Sequence, residues 1–409
     1  MILRSLLLVG VLAMGSFGRA DWPGFRGDGS SSAPAASPPG DWSIEEGRNV
    51  AWTADLPGQG VSGPIVVGGR VFLTASGGPN RERLHVLAFD AATGERLWSR
   101  RLWATGRTNC HSTSANAAPT PASDGARVFV FYSSSDLAAF SLAGDVLWAR
   151  GLTLNHPGVG NDIGMASSPV VAGEALVVQA ECQGESFALG VDRRTGETLW
   201  EIDRPQVSNW ASPLPWVTSS GVQSVWLQNS DGAVLVDAKS GEQLAEINAE
   251  CGSIPSPSPG GTDKLVLTTG GVSVFAEPFD EPMVQAPKLK PGSSSPVVVG
   301  EALLAINRGG VLVCSDLASG DMIWRKRIGG THWATPVAGG GKLYCVSSEG
   351  VVKVLDLNDG GSELAEIPFG EDIYGSPAIS DDAIYFRSSE HLWKIAAPRQ
   401  AADPSNATR

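Results

Sequence analysis

Five histidines, five cysteines and a few aromatics in unusual places are the side chains with which this 409-residue chain could do chemistry. Two segments concentrate them. Residues 99–118 carry Asn109, Cys110, His111 and Asn116, and residues 150–166 carry Asn155, His156, Asn161 and Asp162. With His332 they form a polar set suited to hydrogen-bonding a ligand. No i, i+2 or i, i+4 His/acid spacing among them fixes a ligand set, so no metal is predicted. No G-x-S-x-G elbow supports a serine hydrolase, and no catalytic residue is assigned. The cysteines (110, 182, 251, 314, 345) lack C-x-x-C and C-x-x-C-H spacings, which excludes zinc-ribbon, thioredoxin-like and c-haem sites. A second set is aromatic. Trp210, Trp333 and Tyr374 each stand three residues before a proline, where otherwise similar segments carry Val61, Ala118, Ala166, Ile254 or Ser293.

Those prolines mark the elements that must position these groups. Pro64, Pro121, Pro169, Pro213, Pro257, Pro296, Pro336 and Pro377 open eight units of about forty residues, the signature of one supersecondary unit stacked many times. Within a unit, short β-rich runs are split by turn residues, as in Ile65-Val66-Val67, Arg70 to Thr74, His85 to Phe89 and Arg96 to Trp98. Four strands per unit in a radial array predict an all-β, eight-bladed β-propeller of four-stranded antiparallel blades. The last unit stops after His391 to Ile395, without an outer strand. Asn49 to Ala54 supplies one, so an N-terminal strand is expected to complete the last blade and close the ring. The aromatics before Pro213, Pro336 and Pro377 then face the central channel on the crossover side. They could stack on a ligand or partner side chain, or they could simply plug the channel.

Between the third and fourth strands a phrase recurs: Asp90, Gly94 and Trp98; Asp192, Gly196 and Trp200; Asp316, Gly320 and Trp324. Asp accepts turn amides, Gly permits the backbone, and Trp on the outer strand is expected to be buried, worth roughly 4–6 kcal/mol at most. Cys314 fills the small-residue slot that Ala88 holds in the first unit and is expected to be a buried structural thiol. Cys110 and Cys182 fall on crossover-side loops of adjacent units and are a candidate disulfide.

The phrase resembles the tryptophan-docking motif, Ala-x-Asp-x-x-x-Gly-x-x-x-Trp, of PQQ-like (pyrroloquinoline-quinone-like) propeller repeats, which Ala88, Asp90, Gly94 and Trp98 match in full. The resemblance spans residues 49–396. Similarity to the quinoprotein dehydrogenases would imply PQQ with calcium and an oxidoreductase, but their vicinal cysteine pair is absent. Similarity to BamB-like propellers implies a non-catalytic envelope protein, and that family's lipid-anchoring cysteine is missing. The opening Trp22-Pro23-Gly24-Phe25-Arg26-Gly27 and the Cys110-His111 to Pro121 stretch look most like secreted PQQ-like repeat proteins grouped with BamB by analogy.

Composition bounds the rest. A formal net charge of −13 disfavours phosphate backbones, so nucleic acid is not an expected partner. Arg4, the apolar Leu6 to Met14 and Gly18-Arg19-Ala20 read as a signal peptide over residues 1–20. Residues 21–48 read as an extended arm and 397–409 as a polar tail. No segment is apolar enough to span a bilayer. The expectation is an exported, periplasmic or secreted monomer without cofactor. It would bind an envelope protein or a small or carbohydrate ligand at the channel mouth through His111, Asn116, Asn161, Asp162, Trp210, His332, Trp333 and Tyr374. A PQQ oxidoreductase or a carbohydrate-active propeller is the alternative.

Overall fold

The computed structural model describes residues 21–398, so the expected signal peptide and most of the expected tail lie outside the described residues. Eight sheets form, one per repeat. The first blade runs Ile65–Val67, Arg70–Gly77, Arg83–Asp90 and Arg96–Trp103, with every neighbour antiparallel. The eighth has only three strands of its own, and Val50–Asp55 pairs antiparallel with His391–Ala396 to complete it. Closure thus joins the chain's two ends and removes the open edges an unclosed array would present.

The three inner strands of a blade carry Val, Leu, Ile, Phe and Ala on both faces because both faces meet a neighbouring blade. Ile65, Phe72 and Val86 of the first blade interlock with Val128 and Phe140 of the second, all fully buried. The outer strands alternate with solvent, as in Arg96–Trp103. That position leaves Trp98, Trp148 and Trp324 half-buried, whereas Trp52 and Trp200 are buried. The expectation of uniformly buried tryptophans therefore fails at the rim, where three of them are only partly covered.

Each tryptophan docks on the turn of the next blade. The indole N–H groups of Trp52, Trp98, Trp148 and Trp200 donate to the carbonyls of Ala91, Leu142, Arg193 and Ala238. Gly94 has φ +76°, and a Cβ there would lie 2.6 Å from the Trp52 ring; Gly196 and Gly361 meet Trp148 and Trp324 in the same way. Asp90 accepts the amides of Ala92 and Thr93, Asp192 those of Arg194 and Thr195, and Asp316 those of Ala318 and Ser319. These amides, Thr93's foremost, hold the Asp90 carboxyl below its ordinary value. Blade five lacks the tryptophan, and Gly320 of blade six instead packs on Val284 and the Gln285 carbonyl.

All five cysteines are free thiols, so the Cys110–Cys182 pairing is not formed. Cys182 is buried, its sulfur taking the Gly160 and Gly184 amides and donating to the Glu185 carbonyl, while Cys110 faces Arg81. Cys314 is buried beside Trp324, and burial pushes its thiol up to about 11.

The arm crosses the channel. Trp22 bridges to Val66 of blade one, Pro23 accepts the Ser123 amide of blade two, and Arg26 donates to Ser258 and the Pro257 carbonyl of blade five. Ser32–Ala33 then pairs parallel with Val337–Gly339, adding a fifth strand to blade seven. Trp42 fills the gap between blades seven and eight against Tyr344, Phe369 and Phe386.

Candidate functional site

Where the eight inner strands begin, the channel opens into a cavity of about 370 Å³ on the crossover face. Its wall is the ring of positions three before each marker proline: Val61, Ala118, Ala166, Trp210, Ile254, Ser293, Trp333 and Tyr374. Its floor is Phe25, carried there by the arm. His111, Thr113, Ser114 and Ile163 reach over the rim from the two long crossovers. Trp333 stands 43% exposed, and Trp210 is fixed by its indole N–H donating 2.8 Å to the Gly164 carbonyl. The aromatics do not pack together as a plug; they line an open mouth. His111 is exposed, with Nδ1 2.8 Å from the Thr113 hydroxyl.

Four of the eight binding residues expected from sequence are therefore brought together: His111, Trp210, Trp333 and Tyr374. The other four are not. Asn116 is fully buried, its side chain accepting the Ser134 amide and reaching the Arg81 carbonyl, so it ties two loops together. His332 is buried with its ring nitrogens 2.9 and 2.7 Å from the Val346 and Gly329 carbonyls. Asn161 spends its carbonyl on the Ile163 amide, and Asp162 is exposed away from the mouth. His156 stacks on Phe187 with ring centres 4.0 Å apart and leans on Glu185, a packing role. Polar composition pointed to loops that reach the cavity rim but could not tell cavity-facing groups from those that brace the loops.

Below the aromatic ring lies a belt that sequence reasoning missed. The residues immediately before the marker prolines are Gly63, Thr120, Ser168, Ser212, Ser256, Ser295, Thr335 and Ser376, and all line the cavity. The amide of each but the last donates to the hydroxyl of the next, from Gly63 to Thr120 (2.9 Å) round to Thr335 to Ser376 (2.9 Å). Inner-strand mouths have no neighbouring strand on the channel side, so their amides need another acceptor, and the hydroxyl of the adjoining blade supplies it. Gly63 breaks the series because a Cβ there would sit 2.7 Å from the Ser376 carbonyl oxygen. The signal was visible as Ser/Thr-Pro at seven of the eight marker prolines.

A second, acidic cleft of about 430 Å³ adjoins the mouth and shares Val61, Thr113, Ser114 and Tyr374 with it. Gln59, Glu371, Asp372 and Glu390 line it. Burial raises the Tyr374 phenol above its ordinary value and the Asp372 charge adds to this, so the phenol keeps its proton. Glu371, Glu390 and His391 bring three ligand-type atoms within 4.8 Å of one another. Glu371 lies 20 residues before His391, which adjoins Glu390, beyond the spacings on which no metal was expected. Beneath the Gln59–Val61 segment the Arg387 guanidinium is buried, close against Gly60, with none of its three nitrogens hydrogen-bonded among the described residues.

Pyrroloquinoline quinone with calcium does not fit these residues. The cavity lining holds no Lys, Arg, Asp or Glu, so it offers neither a cation to the quinone's carboxylates nor a carboxylate to a calcium.

Fold and site together define an eight-bladed propeller of docked repeats whose crossover face opens on an aromatic-rimmed, uncharged cavity. The family described as outer membrane protein assembly factor BamB matches residues 41–202 and 230–364, and the chain belongs to that family. It is 27% identical over 327 residues to the BamB of Shewanella oneidensis, covering 76% of this chain and 69% of that one. The crystal structure of Moraxella catarrhalis BamB superposes with a TM-score of 0.63 at 14% identity, over 87% of this chain and 99% of that one. The quinohemoprotein alcohol dehydrogenase of Comamonas testosteroni reaches a TM-score of 0.70 at 12% identity, over 95% and 82% of the two chains. At such identities the likeness to these two structures is one of fold. No helix among the described residues is long and apolar enough to cross a membrane.

Proposed function

We propose that this protein is a non-catalytic binding scaffold of the cell envelope, working without a cofactor and engaging its ligand or partner through the crossover face. One observation carries the reading: the mouth cavity gathers three aromatic side chains from three separate blades over a lining without Lys, Arg, Asp or Glu. Aromatic anchors around a pre-formed recess are the usual carriers of binding energy. Membership of the BamB family supports an envelope role, and the signal-like residues 1–20 support export to it. The test is quantitative capture from an envelope extract on immobilised protein. Trp210→Ala and Trp333→Ala are expected to lower recovery of the bound species about ten-fold or more while leaving the melting curve of Trp333→Ala unchanged. Recovery unaffected by both variants, or turnover of any substrate by the purified chain, would overturn it.

A further inference from the structure

We infer that the mouth cavity and the acidic cleft beside it form one subsite for a neutral saccharide, free or at the end of a glycan. This rests on the reading of the crossover face as a binding surface and names its ligand class. Each of the seven belt hydroxyls accepts a backbone amide, and none donates to a protein acceptor among the described residues. All seven side chains are more than nine-tenths buried, and the one space they share is the cavity. A hydroxyl that has accepted still has a proton to give, so the belt is a circle of O–H donors without acceptors. Its natural complement is a ligand rich in oxygen lone pairs.

Charge narrows that class. An anion would also accept these bonds, but no Lys or Arg lines either recess, and Glu371, Asp372 and Glu390 face the second one. The chain as a whole carries −13. A carboxylate or phosphate would therefore meet the cleft carboxylates with no Lys or Arg in the lining to pair with it. The ligand must in turn give protons to the carboxylates of the cleft, and hydroxyl groups do this as well as accept. It must also present apolar faces to Trp210, Trp333 and Tyr374. A pyranose ring has all three properties: axial C–H faces for aromatic stacking, oxygens that accept, and O–H groups that donate. The two recesses, about 370 and 430 Å³, fall in the range of small-molecule sites and communicate through shared lining. Trp210 is held in place before any ligand arrives, which reduces the ordering cost of stacking.

The experiment uses the full chain on a glycan array, followed by calorimetric titration with maltose, cellobiose and diacetylchitobiose as neutral probes and digalacturonate as the acidic one. At least one neutral saccharide should bind, digalacturonate about ten-fold or more weakly. Trp333→Ala should weaken the neutral binder about ten-fold or more, and Asp372→Ala should weaken it while narrowing the gap to digalacturonate. Trp210→Phe, which keeps a ring and loses the Gly164 bond, should fall between. Comparable affinity for free disaccharide and immobilised polysaccharide marks a free sugar as the source; binding to the polymer alone marks a glycan end. Either supports the proposal. An array blank for neutral glycans, preference for the acidic probe, or binding indifferent to Trp333→Ala would overturn it. A blank array with Trp333-dependent capture from envelope extract removes the saccharide and leaves the binding face standing. Capture indifferent to Trp210 and Trp333 removes the face itself.

Discussion

Replacing Arg387 by Met is expected to stabilise the protein. The guanidinium is buried under the segment that separates the mouth cavity from the acidic cleft, and its three nitrogens have no hydrogen-bond partner among the described residues. Burial pushes its pKa from the ordinary arginine value down to about 9. At 1.36 kcal/mol per unit, that fall corresponds to about 5 kcal/mol of destabilisation, an upper figure for an unpaired buried cation. The folded state holds this proton less tightly than the unfolded chain does. The penalty is therefore complete below pH 9 and fades as pH rises through about 9 toward the ordinary arginine value. Met keeps an unbranched stem of similar reach and removes the charge. Urea unfolding at pH 7 should show Arg387→Met more stable by about 1–4 kcal/mol, the range seen when buried charges give way to apolar groups. At pH 10 the gap should be smaller by on the order of 1 kcal/mol, since the arginine then begins to release its proton. A variant no more stable than its parent at pH 7, or a gap that ignores pH, would refute the reasoning and show that the guanidinium is compensated in solution.

Other consequences can be checked alongside. Gly94→Ala places a Cβ 2.6 Å from the Trp52 ring at φ +76°, and should cost about 2–4 kcal/mol in denaturant unfolding, with a loss under 0.5 kcal/mol counting against the docking geometry. Asp90 has a depressed carboxyl pKa, so its contribution is present above about pH 4 and is lost as pH falls through the folded value. Asp90→Ala should therefore lower the melting temperature at neutral pH and converge on the parent in acid; a constant difference across pH would contradict this. Native alkylation should label Cys110 alone, because the other four thiols are buried, and reductant should leave the intact mass unchanged.

The blades were legible because each repeat carries its own geometry. Asp90, Gly94 and Trp98 announce a turn, a positive φ and a docking ring, and the missing outer strand of the last unit pointed directly to Val50–Asp55. Trp210, Trp333 and Tyr374 were readable as departures from the repeat, since register places equivalent residues at equivalent depths. What escaped were features made by convergence. The hydroxyl belt is one residue per blade, ordinary in each repeat and meaningful only as a circle. Phe25 reaches the cavity floor because the arm threads the channel, a path that composition does not encode. Asn116 and His332 were misassigned for the opposite reason: the same groups that bind ligands also satisfy buried amides and carbonyls, and spacing does not separate the two uses.

The central claim is that binding occurs at the channel mouth and not on the rim of the blades. Its most direct test is a photo-crosslinking residue placed at position 333 and, separately, at Leu244, which is exposed on the outer strand of blade four. In cells producing each form, crosslinked product is predicted from position 333, competed away by untagged parent protein, and not from position 244. Equal crosslinking at both positions, or product only from 244, would contradict the account.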